Sequence, residues 1–275
     1  MIKSPLRYPG GKSRAIKILT PFIPDFTEYR EPFIGGGSLF VYLKQVFKQR
    51  KFWVNDLYLD LANFWQVCQQ DIATLLIQIN VFQQKFNEGK ELHRFLLDNK
   101  QNFNQIELAA AFFIFNRITF SGTTLSGGYS QKAFEGRFTP SSIERLKPFA
   151  NLLTDTKITN LDYEPLIKTT GENVFIFCDP PYYSATKSAL YGKNGDLHKN
   201  FDHRRFAQIM KNSTHKWMIT YDDCEYIREL FGFAHITTWN LKYGMRNVTP
   251  NSNQNEQELM ITNYEIRNNN LFGKY

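Results

Sequence analysis

Apolar residues recur along this chain in two distinct periods, and the order in which the periods alternate predicts its architecture. Short apolar runs closed by turns read as buried strands at 51–54, 157–160, 173–178 and 217–221. A last pair, 236–240 and 258–262, is joined by a polar loop at 247–256. Helical spacing runs through Ile16, Ile18 and Leu19, where Pro21 and Pro24 end it. It returns in Leu39, Phe40, Leu43, Val46 and Phe47, and from 59 to about 115 the chain reads as helical and rich in Gln and Asn. Phe112, Phe113 and Phe115 precede a stretch rich in Gly, Ser and Thr over 116–137, which reads as a loop, and Pro140 and Pro148 flank a short helix. The pattern predicts an α/β fold whose discontinuous sheet domain covers 1–58 and 155–275, interrupted by a mainly helical lobe over 59–154.

Composition narrows the class. A chain of 275 residues, 42% hydrophobic and 21% charged, can bury one large core and a smaller inserted lobe. Cys68, Cys178 and Cys224 stand far apart with no C-x-x-C pair, which argues against a zinc knuckle or a disulfide framework and fits a reducing cytoplasm. No run reaches the roughly 18 apolar residues of a membrane span, and the first residues carry no apolar signal segment. A net charge of +7 suits a polyanionic partner. Lys187, Lys193, His198, Lys199, His203, Arg204 and Arg205 crowd one segment, interleaved with Tyr183, Tyr191 and Phe201. Such a mixture can neutralise phosphates and stack on bases; a solvated loop and a charged helix face is the competing reading.

The chemistry begins with Asp179-Pro180-Pro181-Tyr182, which follows the strand at 173–178 at once. Ligands of open α/β sheets bind outside the carboxyl ends of the strands. There Asp179 can accept a hydrogen bond from an exocyclic amine while Tyr182 stacks on the base carrying it. The doubled proline removes two N–H donors and leaves the turn rich in acceptors. An ordinary strand-ending turn uses the same residue types, so a second site has to decide. The glycine run Gly35-Gly36-Gly37 supplies one. It is not a P-loop, because Leu6 stands where the first glycine before Gly11-Lys12-Ser13 belongs, and Leu39 and Phe40 break a G-x-G-x-x-G pattern. What remains is a glycine turn at a helix amino terminus, with Asp56 closing the next strand about 20 residues on. That layout suits an adenosine-type ligand without a pyrophosphate, such as S-adenosylmethionine, with Lys12 as a cation for its carboxylate. Asp56 as a helix cap and Lys12 as a surface lysine are the bland alternatives. The chemistry requires no metal and no covalent cysteine.

Taken in order, Arg7-Tyr8-Pro9-Gly10-Gly11-Lys12, Glu31-Pro32-Phe33-Ile34-Gly35-Gly36-Gly37-Ser38, Asn55-Asp56 and Cys178-Asp179-Pro180-Pro181-Tyr182 resemble the Dam-type, D12-class α-group of DNA adenine-N6 methyltransferases. The resemblance runs from Arg7 to about Thr262, with Glu258-Leu259 on the strand that ends the family's fold. It implies a Rossmann-like, S-adenosylmethionine-dependent methyltransferase sheet with an inserted target-recognition lobe. It further implies double-stranded DNA as substrate, a monomer, a bacterial or phage origin, and a cognate restriction endonuclease as a candidate partner. Tyr8, Lys12, Asp56 and Asp179 fall on cofactor-contacting positions, Phe33, Gly35 and Gly37 on the cofactor loop, and Asp162 and Tyr163 beside the cofactor's adenine. Asp179, Pro180, Pro181 and Tyr182 become the catalytic motif for an adenine flipped out of the duplex.

In the insertion, Asn116-Arg117-Ile118-Thr119-Phe120-Ser121-Gly122 resembles the family's DNA-entering loop. Phe120 is then the wedge, Ser121 and Thr123 lie near base edges, and Arg137 serves a phosphate or a structural salt bridge. One departure matters. Leu125 stands where GATC-reading relatives carry an arginine for guanine, so the recognition sequence stays open. Two other functions share these motifs: methylation of adenine in RNA, and a catalytically silent DNA-binding module.

Overall fold

The computed structural model of the chain describes residues 1–8, 10–122, 124, 127–184, 201–240 and 257–266. Its strands are β1 (Glu28–Glu31), β2 (Lys51–Asn55), β3 (Thr156–Thr159), β4 (Val174–Cys178), β5 (Lys216–Asp222), β6 (His235–Asn240) and β7 (Gln257–Thr262). They form one sheet in the order β3-β2-β1-β4-β5-β7-β6. Pairing is parallel from β3 to β5, and β7 enters antiparallel between β5 and β6. The expected strands are all present within one or two residues of their expected bounds.

These strands are near-continuously apolar because both faces of the sheet are covered. In β4, Phe175 and Phe177 point into one hydrophobic cluster, and Val174, Ile176 and Cys178 into the other. The same alternation puts Met218 and Met260 on the first side, and Trp217, Ile219, Leu259 and Ile261 on the second. A one-residue slip would exchange the two sets, so burial on both sides fixes the register. The strand order reverses between β1 and β4, which pair through Glu28↔Val174, Tyr29↔Phe175 and Arg30↔Ile176. The connections leaving these two strands run in opposite directions and open a crevice at their carboxyl ends.

The helices are α1 (Ile16–Leu19) and α2 (Ser38–Val46), then α3 (Leu59–Gln70), α4 (Ile72–Lys85), α5 (Gly89–Asn99), α6 (Gln105–Ile118), α7 (Gln131–Arg137), α8 (Pro140–Glu144) and α9 (Phe149–Leu152). After β3 come α10 (Glu164–Lys168), α11 (His203–Lys211) and α12 (Glu225–Leu230). The long helical stretch after β2 is cut by polar caps. Asp71 accepts the Thr74 N–H at 3.0 Å, and Asn104 and Glu107 cap the start of α6 reciprocally. Helix α3 belongs to the flank of the sheet: Gln69 donates to the carbonyls of Leu153 and Thr156 at 2.7 Å, and Trp65 donates to Gly35 O at 3.2 Å. Helix α3 also packs against α6, so it ties the sheet to the helical stretch that follows β2. Helix α6 is its hub, buried all round from Ala109 to Ile118.

The stretch 116–137 differs from the expected loop. Asn116 to Ile118 complete α6, and Gln131–Arg137 form α7. Between them the chain folds back on itself, with a bridge between Thr119 and Tyr129 and a bond from Ser130 N to Ile118 O at 2.9 Å. Thr123, Leu125, Lys187, Tyr191, Lys193, His198, Lys199 and the loop 247–256 lie outside the described residues. No described helix is long and apolar enough to cross a membrane.

One buried cation ties β1 to the end of α10. Arg30, 1% exposed, pairs with Glu28 Oε1 at 2.6 Å and donates to Leu166 O at 2.8 Å and Thr170 O at 3.1 Å. Replacing it with Ala removes the donors from several buried carbonyls at once. Arg30→Ala should cost about 3–5 kcal/mol in chemical denaturation. A loss below about 1 kcal/mol would mean that water replaces the guanidinium.

Candidate active site at the β1–β4 crevice

Two walls of the crevice are made by backbone turns. After β1 the chain passes through Gly35 at φ +47° and Gly37 at φ +64°, both in the left-handed region that favours glycine. A Cβ on Gly35 would lie 2.9 Å from Tyr8 Cε1, and one on Gly37 would lie 3.0 Å from Trp65 Cζ2. Tyr8 and Trp65 thus press the turn into shape from two sides. Asp56, just past β2, accepts the Gly35 N–H through Oδ2 and the Tyr58 N–H through Oδ1, each at 3.0 Å. Burial pushes its carboxyl up to about 6, against the pull of those two N–H groups. The carboxylate therefore braces the turn and still has lone pairs for further donors. Glu31, at the end of β1, is driven well above the usual range by burial, against the Tyr29 hydroxyl that donates to it at 2.7 Å.

The second turn follows β4. Asp179 Oδ1 lies 2.8 Å from Lys12 Nζ and accepts the Thr220 hydroxyl at 2.6 Å. Lys12 is 4% exposed at its side chain; it also donates to Gly10 O at 3.1 Å and sits 4.9 Å from the centre of the Tyr182 ring. The cation expected to meet a ligand's carboxylate meets the protein's own. Tyr182 donates its hydroxyl to Glu258 Oε2 at 2.9 Å, and Glu258 is buried in β7. The next residues are held from β5, since Asp222 accepts Tyr183 N at 2.9 Å and Ser184 N at 2.7 Å. The turn is thereby tied to the segment before β1 and to β5 and β7.

The third wall is aromatic. Phe33, Tyr163, Phe201 and Phe206 pack with ring centroids between 5.3 and 5.7 Å apart. Arg205 clamps Asp162 with both guanidinium nitrogens at 3.0 Å, reaches Glu164 at 2.6 Å, and lies 4.9 Å from the centre of the Tyr163 ring. The sequence-predicted residues Tyr8, Lys12, Phe33, Gly35, Gly37, Asp56, Asp162, Tyr163, Asp179 and Tyr182 all line these three walls.

Of the residues expected at DNA, those described differ in exposure. Asn116 and Arg117 are buried in the last turn of α6. Asn116 exchanges bonds with the Arg7 backbone at 2.9 and 2.7 Å, and Arg117 donates to Pro5 O while stacking 5.1 Å over Phe113. Both are internal fasteners for the amino-terminal segment and present little polar surface. Phe120, by contrast, is 62% exposed on the folded-back loop, an unusual place for a large apolar ring. Arg137 is half-buried at the end of α7; burial first, and then its charge, lowers the Arg7 guanidinium, while burial, Arg145, Arg7 and Arg137 lower Arg117 to about 10.

Sequence reasoning missed Thr220, Asp222 and Arg205 as parts of this constellation, and read Glu258 merely as part of the closing strand. A signal existed for Thr220 and Glu258: a polar side chain inside an apolar, doubly covered strand must find a partner. Which partner it finds depends on strand order, which a single sequence does not print.

Comparison with known proteins places this geometry in a family. A model of the D12 class N6 adenine-specific DNA methyltransferase matches residues 8–245. The chain is 26% identical over 245 residues to the DNA N-6-adenine-methyltransferase of Escherichia phage P1, covering 83% of this chain but 31% of that longer protein. A type II methyltransferase of Paramecium bursaria Chlorella virus NC1A is 22% identical over 250 residues, 88% of this chain and 91% of its own length. A DNA adenine methylase of Vibrio cholerae is 26% identical over 202 residues, 69% and 70% of the two chains. The match takes in the glycine turn, the insertion and the Asp179–Tyr182 turn, and the chain belongs to the D12 class N6 adenine-specific DNA methyltransferase family.

Proposed function

We propose that this chain transfers a methyl group from S-adenosylmethionine to the exocyclic N6 of an adenine extruded from duplex DNA. The observation that carries this reading is the placement of Asp179 and Tyr182 across one crevice from the glycine turn and Asp56, at the reversal of strand order. The residues present fit the donor. Asp56 keeps acceptor capacity for ribose hydroxyls, and Tyr163 with Phe33 offers an apolar wall for a purine. When bound, the donor supplies an electrophilic methyl group on a positively charged sulfur.

The chain's own residues would do the rest. An adenine amine is a weak nucleophile because its lone pair is delocalised into the ring. Asp179 and the Pro180 carbonyl would each accept one of its N–H groups, drawing the nitrogen toward a tetrahedral shape and offsetting the positive charge that develops on it. Pro181 stiffens the turn, and Tyr182, held by Glu258, would stack on the base. A target buried in a duplex has to be flipped out, at a cost of a few kcal/mol in lost stacking and pairing. Phe120 is exposed and would fill the gap, and Arg137 would serve a phosphate. In this reading the insertion over 59–154 recognises the target sequence.

Two outcomes test the proposal. Incubating the protein with labelled S-adenosylmethionine and mixed-sequence duplex DNA should place methyl groups on adenine N6 at one short recurring sequence. Asp179→Ala should lower the rate by at least about 10²–10³-fold while DNA affinity stays within about threefold; a rate within tenfold of the parent would remove the mechanism. The second outcome is a pH dependence. Asp56, raised to about 6, is ionised above that pH and becomes protonated below it, losing strength as an acceptor. Donor affinity by calorimetry should be level near pH 7 and about tenfold weaker at pH 5. A flat profile from pH 5 to pH 7 would detach Asp56 from donor binding.

A further inference from the structure

Thr220 sits in β5, fully buried, beside the end of β4. The register Cys178↔Ile219 makes it the neighbour of Asp179 across the pair. Alternation puts it on the Met218 side of the sheet, the same side as Phe177, and hence as Asp179. Its hydroxyl hydrogen goes to Asp179 Oδ1 at 2.6 Å, and the Lys12 ammonium reaches the same oxygen at 2.8 Å. Among the described residues Oδ2 takes no hydrogen bond. The two carboxylate oxygens are therefore unequal: one is fastened from both sides and the other is left for a ligand.

We propose that Thr220 is a positioning residue for methyl transfer, which anchors Oδ1 together with Lys12 so that Oδ2 alone faces the amine of the substrate base. This rests on the function proposed above. A carboxylate bonded by the ammonium alone could swing about its Cβ–Cγ bond and offer either oxygen at a range of angles. A second donor, fixed on a rigid strand, removes that freedom. A hydrogen bond made to orient a group matters for rate more than for affinity, because the amine must be held along one direction while the methyl group moves to it.

The test uses two substitutions in the full chain. Thr220→Val keeps shape and branching and removes the hydroxyl; Thr220→Ser keeps the hydroxyl and removes a methyl group. Single-turnover methylation, KM for duplex DNA, donor affinity and thermal melting are measured for both, with Asp179→Asn as the reference. The expected result is a kcat lower by roughly tenfold to a hundredfold for Thr220→Val, with KM and donor affinity within about twofold. Thr220→Ser should recover to within about threefold of the parent. A hydroxyl that serves only the fold would lower the melting temperature of Thr220→Val and leave kcat of the folded protein unchanged, which overturns the proposal. Equal loss in Val and Ser also overturns it, because packing would then be the cause. If Asp179→Asn itself retains full rate, the reading of Asp179 fails first and the role of Thr220 falls with it; if only Thr220→Val retains full rate, the function stands and the positioning role does not.

Discussion

A carboxylate at the end of a strand buried on both faces cannot stand unpartnered, and the arrangement around Asp179 follows from that constraint. Its partners come from parts of the chain far apart in sequence: Lys12 from the segment before β1, and Thr220 from β5. Satisfying one acidic group draws the amino-terminal segment under the glycine turn. Tyr8 of that segment packs against Gly35 and Gly36. The helical insertion is bound into the same assembly, because Asn116 grips the Arg7 backbone and Arg117 reaches Pro5. The segment that carries the cation for the crevice is thereby also the segment to which the insertion is fastened.

This coupling has a physical consequence for a protein that must hold two substrates at once. The crevice joins three walls whose stiffness comes from different sources. The glycine turn is held by backbone bonds to Asp56, the aromatic wall by ring packing and the Arg205 clamp, and the acidic turn by Lys12, Thr220, Asp222 and Glu258. Geometry fixed beforehand is what a methyl transfer to a weakly nucleophilic amine requires. The insertion behaves differently. It exposes Phe120 beside the Thr119–Tyr129 bridge that closes the base of a folded-back loop.

Much of this was legible in the sequence, for identifiable reasons. The strands could be read because burial on both faces makes them apolar without interruption, as in Val174–Cys178. The glycine turn and Asp56 could be read because their roles are local: backbone angles at Gly35 and Gly37, and a carboxylate at a strand end. The stretch 116–137 was misread because Asn116 and Arg117 look like loop residues until their partners at Pro5 and Arg7 are known. The motif marks Lys12 as a cation for a ligand, but not its pairing with Asp179, which lies more than half the chain away. Thr220 belongs to no motif, and Arg205 reads only as one of a basic cluster, because both act through pairings set by strand and helix order. Interactions local in sequence were visible; those that close the site across the sheet were not.

The most direct measurement is a crystal structure of the protein with a non-reactive analogue of the methyl donor and a duplex containing the target adenine. The analogue is expected between the turn at 33–37, Asp56 and Tyr163, with the extruded base against Tyr182 and its amine bonded to Asp179 through Oδ2. An analogue bound away from the β1–β4 crevice, or an amine turned away from Asp179, would contradict it.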